Sequence, residues 1–472
     1  MTLSYVSTRG EAPVLGFADV LLAGLARDGG LYVPERWPAL GADAIAALAG
    51  RPYAEVAETV IRPFVGEGAL ADGLRGMVGD AYATFRHPAV APLVQIAPDL
   101  FVLELFHGPT LAFKDVAMQL LARLMDRALA ERGGRVTIVG ATSGDTGGAA
   151  IEAFRGSERA DVFILFPHGR VSDVQRRQMT TVDAPNVHAV AVEGDFDDCQ
   201  ALVKAMFNDH RFRDRMALGA VNSINWARIV AQAGYYFSAA TALGGPHRPV
   251  SFMVPTGNFG DVLAGHVARR MGLPLGRLGI ATNANDILAR TFETGRYEVR
   301  GVAPTSSPSM DIQVSSNFER LLFEAEGRDA ATVRRHMAGL AQGGAFAIGE
   351  RAMAAIREGF DAGRAGEDEV AATIRRVRAG AGYLLDPHTA VAVAVAEKSR
   401  REPGVPTVVL GTAHPAKFPD AVEAACGERP ALPPAVAGKL SGRERFDVVA
   451  NDLAAVQHYV EGRARAAKET AA

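Results

Sequence analysis

The alternation of apolar and polar positions along this chain changes character near residue 96. Before that point apolar residues recur mostly at helical spacing. Phe17 to Leu25 is amphipathic, and Asp43 to Leu48 and Tyr53 to Phe64 carry further helical patterns. Asp28-Gly-Gly-Leu-Tyr-Val-Pro34 reads as a turn leading into an extended piece, its paired glycines permitting positive φ. After residue 96 one unit repeats: a short apolar run, a loop rich in glycine or hydroxyls, then a helical pattern. Leu100 to Leu105 leads through His107-Gly-Pro-Thr110 to Val116, Leu120, Leu121, Leu124, Met125 and Leu129. Arg135 to Gly140 leads through Ala141-Thr-Ser-Gly-Asp-Thr-Gly-Gly148 to a helix over 149–154. Val250 to Val254 leads through Pro255-Thr-Gly-Asn-Phe-Gly-Asp261 to a helix reaching Met271. Pro406 to Leu410 leads through Gly411-Thr-Ala-His-Pro415 to a helix over 419–425. Residues 161–166 and 187–192 add strands, and 196–207 and 225–243 add helices. Strands alternating with helices predict an α/β protein with parallel sheets flanked by helices. In such sheets ligands sit beyond the carboxyl ends of the strands, where these loops lie. Gly301 to Ser316 is a long Ser/Pro-rich loop, a candidate lid or domain crossing. From Glu461 onward a frayed or disordered end is expected.

Length and composition narrow the picture. At 472 residues two or three domains are expected. A net charge of −3 carries no polyanion-binding signature, so nucleic acid is not an expected partner. The two cysteines, Cys199 and Cys426, have neither disulfide-framework nor metal-ligand spacing and read as reduced thiols of a cytoplasmic protein. The start lacks a charged region followed by an apolar core, and no run reaches membrane-spanning length. The histidines form no H-E-x-x-H or similar pattern, so no metal is expected.

Four loops are candidates for chemistry. Lys114 stands near a helix N-terminus, where the dipole favours anions, beside Leu111, Ala112 and Phe113. Apolar walls disfavour the charged form of a lysine, and a neutral amine can attack a carbonyl. A solvated lysine is the plainer reading. Thr256-Gly-Asn-Phe-Gly260 opens a helix after a buried strand and can cradle a phosphate with its N–H groups. It lacks both the Gly-Lys-Ser/Thr of a P-loop and the GxGxxG fingerprint, so a single phosphate suits it better than a chain of them. Thr142 to Gly147 suits a carboxylate, or is a capped helix start with Ser143 or Asp145 as N-cap. Asn222-Ser-Ile-Asn225-Trp-Ala-Arg228 is a second anion site, or a capping asparagine followed by a solvated arginine.

Taken together, ELFHGPTLAFKD (104–115), ATSGDTGG (141–148), NSIN (222–225), PTGNFGD (255–261) and GTAHPAKF (411–418) resemble the corresponding strings of threonine synthases, as does DGGLYVP near the start. The resemblance spans roughly residues 1 to 425. It implies the fold type II architecture of pyridoxal 5'-phosphate (PLP) enzymes, two α/β domains after a mostly helical N-terminal domain. The boundaries expected are 1–95 for the N-terminal domain, 96–245 for a smaller domain with Lys114, 246–430 for a larger one, and 431–472 for a helical tail. The resemblance makes Lys114 the catalytic lysine that carries PLP. Gly257, Asn258, Phe259 and Gly260 would hold the cofactor phosphate, and Thr412 would meet the pyridine nitrogen. Asp145 falls where cysteine synthases place an asparagine against the cofactor's phenolic oxygen. An ionised aspartate would repel that oxygen, so Asp145 is expected to be protonated, turned away or screened by a cation. Thr142, Ser143 and Thr146 would take the substrate carboxylate. Asn222, Ser223, Asn225 and Arg228 would take its phosphate, with Lys204, Asp311, Ser315 and Ser316 as further candidates.

The activity implied is that of a PLP-dependent carbon–oxygen lyase acting on phosphates. It converts O-phospho-L-homoserine and water to L-threonine and phosphate, by γ-elimination and β-addition of water, as the last step of threonine biosynthesis. The alternatives are a phospho-lyase giving 2-oxobutyrate and a non-catalytic metabolite-binding relative. The expected partner is this small molecule, with no nucleic acid and no membrane, for a cytoplasmic monomer or homodimer.

Overall fold

The computed structural model describes residues 3–399 and 402–466. Two parallel sheets organise the chain. The smaller runs in the order Asp447–Ala450, Val187–Glu193, Ala160–Pro167, Val136–Ala141, Leu218–Gly219, with every pairing parallel. All eight residues of Ala160–Pro167 are buried, as a central parallel strand covered on both faces requires. The larger sheet runs Phe360–Arg364, Leu275–Thr282, Val250–Pro255, Thr407–Gly411, Leu100–Glu104, Leu93–Ala97. It is parallel except at Leu93–Ala97, which pairs antiparallel with Leu100–Glu104.

Sheet membership cuts across chain order. Leu93–Ala97 and Leu100–Glu104 lie ahead of Lys114 yet join the larger sheet, not the smaller one. The end of the chain, expected as a helical tail, returns to lay the Asp447–Ala450 strand on the smaller sheet before the Leu453–Glu461 helix. Arg465 then closes on the buried Asp161, Nε to Oδ1 2.7 Å. The frayed or disordered end expected from Glu461 onward does not describe Arg465, which this ion pair holds; residues 467–472 lie outside the described range.

The N-terminal part is mostly helical, as expected, with one small sheet: Tyr5–Ser7 pairs antiparallel with Tyr32–Pro34, the extended piece after the double glycine. The Tyr53–Val65 helix buries Val56, Val60, Ile61 and Phe64 along one side. The Trp226–Ala242 helix is apolar nearly all round and sits in the middle of the core. Trp226 is fully buried, with the rings of Tyr5, Trp37 and Phe64 at 6.2, 6.1 and 6.0 Å. The Arg320 guanidinium lies 5.3 Å over it. Among the described residues no helix is long and apolar enough to cross a membrane.

Candidate active site

Lys114 is the first residue of the Lys114–Arg132 helix. The turn before it is fixed by Asp115, whose carboxylate accepts from the Thr110 N–H and hydroxyl, both at 2.7 Å. Phe113 N–H donates to Thr412 O at 2.8 Å, which brings the Thr412 loop alongside the lysine. Thr412 is buried, and among the described residues its hydroxyl has no hydrogen-bond partner.

The Lys114 amine is buried. Nζ stands 3.3 Å from Asp145 Oδ2 and 3.3 Å from Ser309 Oγ. Burial draws its pKa down; the Lys417 and Arg228 charges add to this, and Asp145 opposes it without cancelling it. Asp145 is ionised. Burial alone would push its carboxyl up, but the Lys114 and Lys417 ammoniums outweigh burial and hold it well below the usual range. Of the three states expected for Asp145, the structure has the screened one: Lys417 Nζ lies 2.7 Å from Oδ1, and Gln175 Nε2 donates to the same oxygen at 2.9 Å.

Ser309 comes from the 301–316 loop. That loop is not loose. Asp311 Oδ1 accepts from Asn283 Nδ2, Asn285 Nδ2 and the Thr305 hydroxyl at 2.8, 2.9 and 2.6 Å. Ser309 N–H donates to His388 Nε2 at 3.3 Å, so His388 carries its proton on Nδ1, 3.0 Å from Asp386 Oδ1.

Beyond Ser309 lies the loop after the Val250–Pro255 strand. Among the described residues no protein group accepts from the N–H of Gly257, Asn258 or Phe259. Phe259 has φ 64° and turns the chain into the Gly260–Arg270 helix. Gly257 is required for packing: a Cβ there would lie 2.9 Å from Ser309 O. Free N–H groups at a helix start form a site for one phosphate. A buried amine with a lowered pKa is the group that engages an aldehyde. The donor set therefore fits PLP.

In the 142–147 loop neither Ser143 nor Asp145 caps the helix. The Thr142 hydroxyl accepts from Gly144 N–H at 2.9 Å and Gly147 N–H at 3.0 Å and holds the loop shut. Ser143 N–H has no acceptor among the described residues, and the Ser143 and Thr146 side chains are half-buried beside it.

Asn225 caps the Trp226–Ala242 helix by accepting from Ala227 N–H, and its Nδ2 donates to Leu21 O and Ala220 O. Arg228 is not solvated. It is buried, with Nη1 3.3 Å from Val221 O and Nε without a partner among the described residues. Burial takes its pKa down to about 10. Asn222 is exposed and Ser223 half-buried. The Ser223 carbonyl is 3.1 Å from Asn317 Nδ2, which also donates to Asn258 O at 3.1 Å, so the two anion loops are neighbours. Of the further phosphate candidates, Lys204 is exposed on the Phe196–Asn208 helix. Asp311 staples its loop, and the Ser315 hydroxyl donates to Gly257 O at 2.7 Å. Ser309, Lys417, Asn317 and His388 have site contacts that local sequence spacing does not announce.

Three family models match this chain: "Threonine synthase N terminus" over residues 4–82, "Pyridoxal-phosphate dependent enzyme" over 84–412, and "Threonine synthase, C-terminal" over 389–460. The threonine synthase of Pseudomonas aeruginosa is 53% identical over 460 residues, covering 97% of this chain and 98% of its own. That of Schizosaccharomyces pombe is 44% identical, covering 90% and 89%. The crystal structure of PLP-bound threonine synthase from Brucella melitensis matches with a TM-score of 0.96 at 62% identity, over 98% of this chain and 100% of that one. The Escherichia coli threonine synthase structure matches with a TM-score of 0.82 at 31% identity, over 97% and 99%. With buried amine, phosphate loop and near full-length similarity in agreement, this chain belongs to the threonine synthase family of PLP-dependent enzymes.

Proposed function

We propose that this chain is a threonine synthase that converts O-phospho-L-homoserine and water to L-threonine and phosphate. The observation that carries this reading is the Lys114 amine, buried 3.3 Å from both Asp145 and Ser309 beside a loop of unpartnered N–H groups. When bound, PLP supplies an aldehyde that engages amines and a ring that withdraws electrons from the amino acid.

The chain's own residues do the rest. Lys114 Nζ, its charged form disfavoured by burial, takes protons from the substrate's α- and β-carbons, delivers one to the γ-carbon once phosphate has left, and returns one to the α-carbon at the end. Asp145 Oδ2 and Ser309 Oγ limit where Nζ can stand. The N–H groups of Gly257, Asn258, Phe259 and Gly260 would hold the cofactor phosphate. The Thr412 hydroxyl would meet the ring nitrogen; as a weak acid it would leave that nitrogen largely unprotonated and moderate the electron demand. Thr142, Ser143 and Thr146 orient the substrate carboxylate. Arg228, with Asn222 and Ser223, draws on the substrate phosphate, and Asn225 caps the helix that carries Arg228. The bond between the γ-carbon and the phosphate oxygen breaks with its electron pair leaving on phosphate. A water oxygen then bonds to the β-carbon, and the proton that this water loses ends on the departed phosphate. Burial of Lys114, Asp145 and Lys417 keeps bulk water from the amine.

The free thiols Cys199 and Cys426 suit a reducing cytoplasm, the proposed setting, and the proposed assembly is a monomer or homodimer. The test is product analysis with phosphohomoserine. Threonine and phosphate should form in equal amounts, and Lys114→Ala should lose both turnover and the visible absorbance of the bound cofactor. Production of 2-oxobutyrate and ammonia would make the protein a phospho-lyase instead. A wild-type chain that takes up no PLP would end the reading.

A further inference from the structure

Lys417 has only a shielding part in the reaction above, yet its side chain is 0% exposed. An ammonium has three protons and no acceptor. All three are in use: Asp145 Oδ1 at 2.7 Å, Thr110 O at 2.8 Å and Gln178 Oε1 at 3.0 Å. Gln178 Nε2 in turn donates to Thr110 O at 2.9 Å, so Lys417's partners are held by one another. Nζ therefore cannot turn toward a substrate without giving up a bond. A buried ammonium without a counter-charge is strongly disfavoured, and so is a buried carboxylate. Here each answers the other, and the second Asp145 oxygen is left for Lys114 and Ser309.

We propose that Lys417 is a positioning residue: a fixed counter-ion that keeps the Asp145 carboxylate charged and aimed at Lys114 Nζ, so that Asp145 and Lys417 act as one electrically neutral unit beside the reacting amine. Removing either member alone leaves a net charge next to Lys114, and the two removals leave charges of opposite sign. Loss of the cation favours the protonated Lys114 amine, and loss of the anion disfavours it. Removing both restores neutrality.

The test uses full-length wild type, Lys417→Met, Asp145→Asn and the double variant. Methionine keeps an unbranched apolar stem of similar length. In the first arm the cofactor-free chains are labelled competitively with an amine-selective reagent over a pH series, and the Lys114 peptide is quantified by mass spectrometry. The midpoint should rise by about one pH unit in Lys417→Met, fall by about as much in Asp145→Asn, and lie within about half a unit of wild type in the double variant. In the second arm the pH dependence of the visible absorbance of the PLP-loaded proteins should follow the same order. Midpoints that do not move, or that move in the same direction in both single variants, overturn the proposal. If one single variant does not fold, the other decides: a shift that the double variant fails to reverse also overturns it. Only the second arm rests on Lys114 as the cofactor lysine. A chain that binds no PLP would sink the proposed function and leave the labelling result standing.

Discussion

Asn317 makes two hydrogen bonds to one carbonyl: its backbone N–H and its Nδ2 both donate to Asn258 O at 3.1 Å. Nδ2 also donates to Ser223 O, and Oδ1 accepts from Arg320 Nη1. One side chain thus ties the cofactor-phosphate loop to the segment proposed for the substrate phosphate. Asn317→Ala takes this donor from Ser223 O and this acceptor from the buried Arg320 guanidinium, at about 1–3 kcal/mol each, while Asn258 O keeps only the backbone N–H. PLP affinity should fall about tenfold or more in an absorbance titration, and KM for the phosphorylated substrate should rise with it. A change in only one of the two would show that the loops are not coupled through this residue.

Arg228 should divide binding from cofactor loading. Among the described residues its Nε has no partner, and Nη1 has one carbonyl at 3.3 Å. A buried guanidinium held this loosely is available to an anion. Arg228→Met should lower kcat/KM about 100-fold, mostly through KM, a loss of about 2.7 kcal/mol, with PLP content unchanged. The same variant should be no less stable to heat than wild type when substrate is absent, because it removes a poorly paired buried charge. Steady-state kinetics and thermal melts check both statements.

Gly257→Ala tests the fit of the phosphate loop. The added Cβ would stand 2.9 Å from Ser309 O and 3.3 Å from Met310 Cα, both backbone atoms of a loop stapled by Asp311. Neither can yield as a flexible side chain would. PLP occupancy and activity should both drop, about tenfold or more. Gly301→Ala, where nothing lies within 4 Å, is the control and should change neither.

Asp261 should make folding stability depend on pH. Burial raises its carboxyl from 3.8 to about 7, and Tyr235 and Tyr236 donate to Oδ1 while Oδ2 has no partner among the described residues. The folded chain therefore keeps a proton that the unfolded chain has lost, so the stability linked to this group is fully present below 3.8, declines as pH rises through the window and levels off above about 7. The slope is at most about 1.4 kcal/mol per pH unit. Asp261→Asn should remove this component and narrow the gap between urea midpoints at the two ends of the window. An unchanged gap would show that Asp261 does not hold its proton in the folded chain.

Much of the site was readable because its parts are local. A strand, a loop of a few residues and a helix fall within one short window, so Lys114, the 142–147 loop, the 257–260 loop and Thr412 stand out individually. Their completion is not local. Ser309 meets Lys114 across 195 residues and Lys417 meets Gln178 across 239, and no spacing rule connects such pairs. Asp145 did carry a signal: a carboxylate where an amide would be expected has to be protonated, turned away or screened by a cation, and the Lys417 contact corresponds to the third of these. Arg228 was read as either solvated or anion-binding, since its burial depends on packing against the N-terminal part of the chain. Sheet membership was least legible. Asp447–Ala450 is a mostly exposed edge strand with no alternating pattern, so nothing in its sequence distinguishes it from a turn.

The late place of Lys417 in the chain has a consequence for biosynthesis. A ribosome releases Lys114 and Asp145 long before Lys417, and the Asp447–Ala450 strand that covers one sheet edge comes later still. Until those segments emerge, the nascent polypeptide has a carboxylate without its counter-ion and a sheet with an open side. The charge balance beside Lys114 thus belongs to the chain as far as Lys417, and not to the first third that carries the reacting amine.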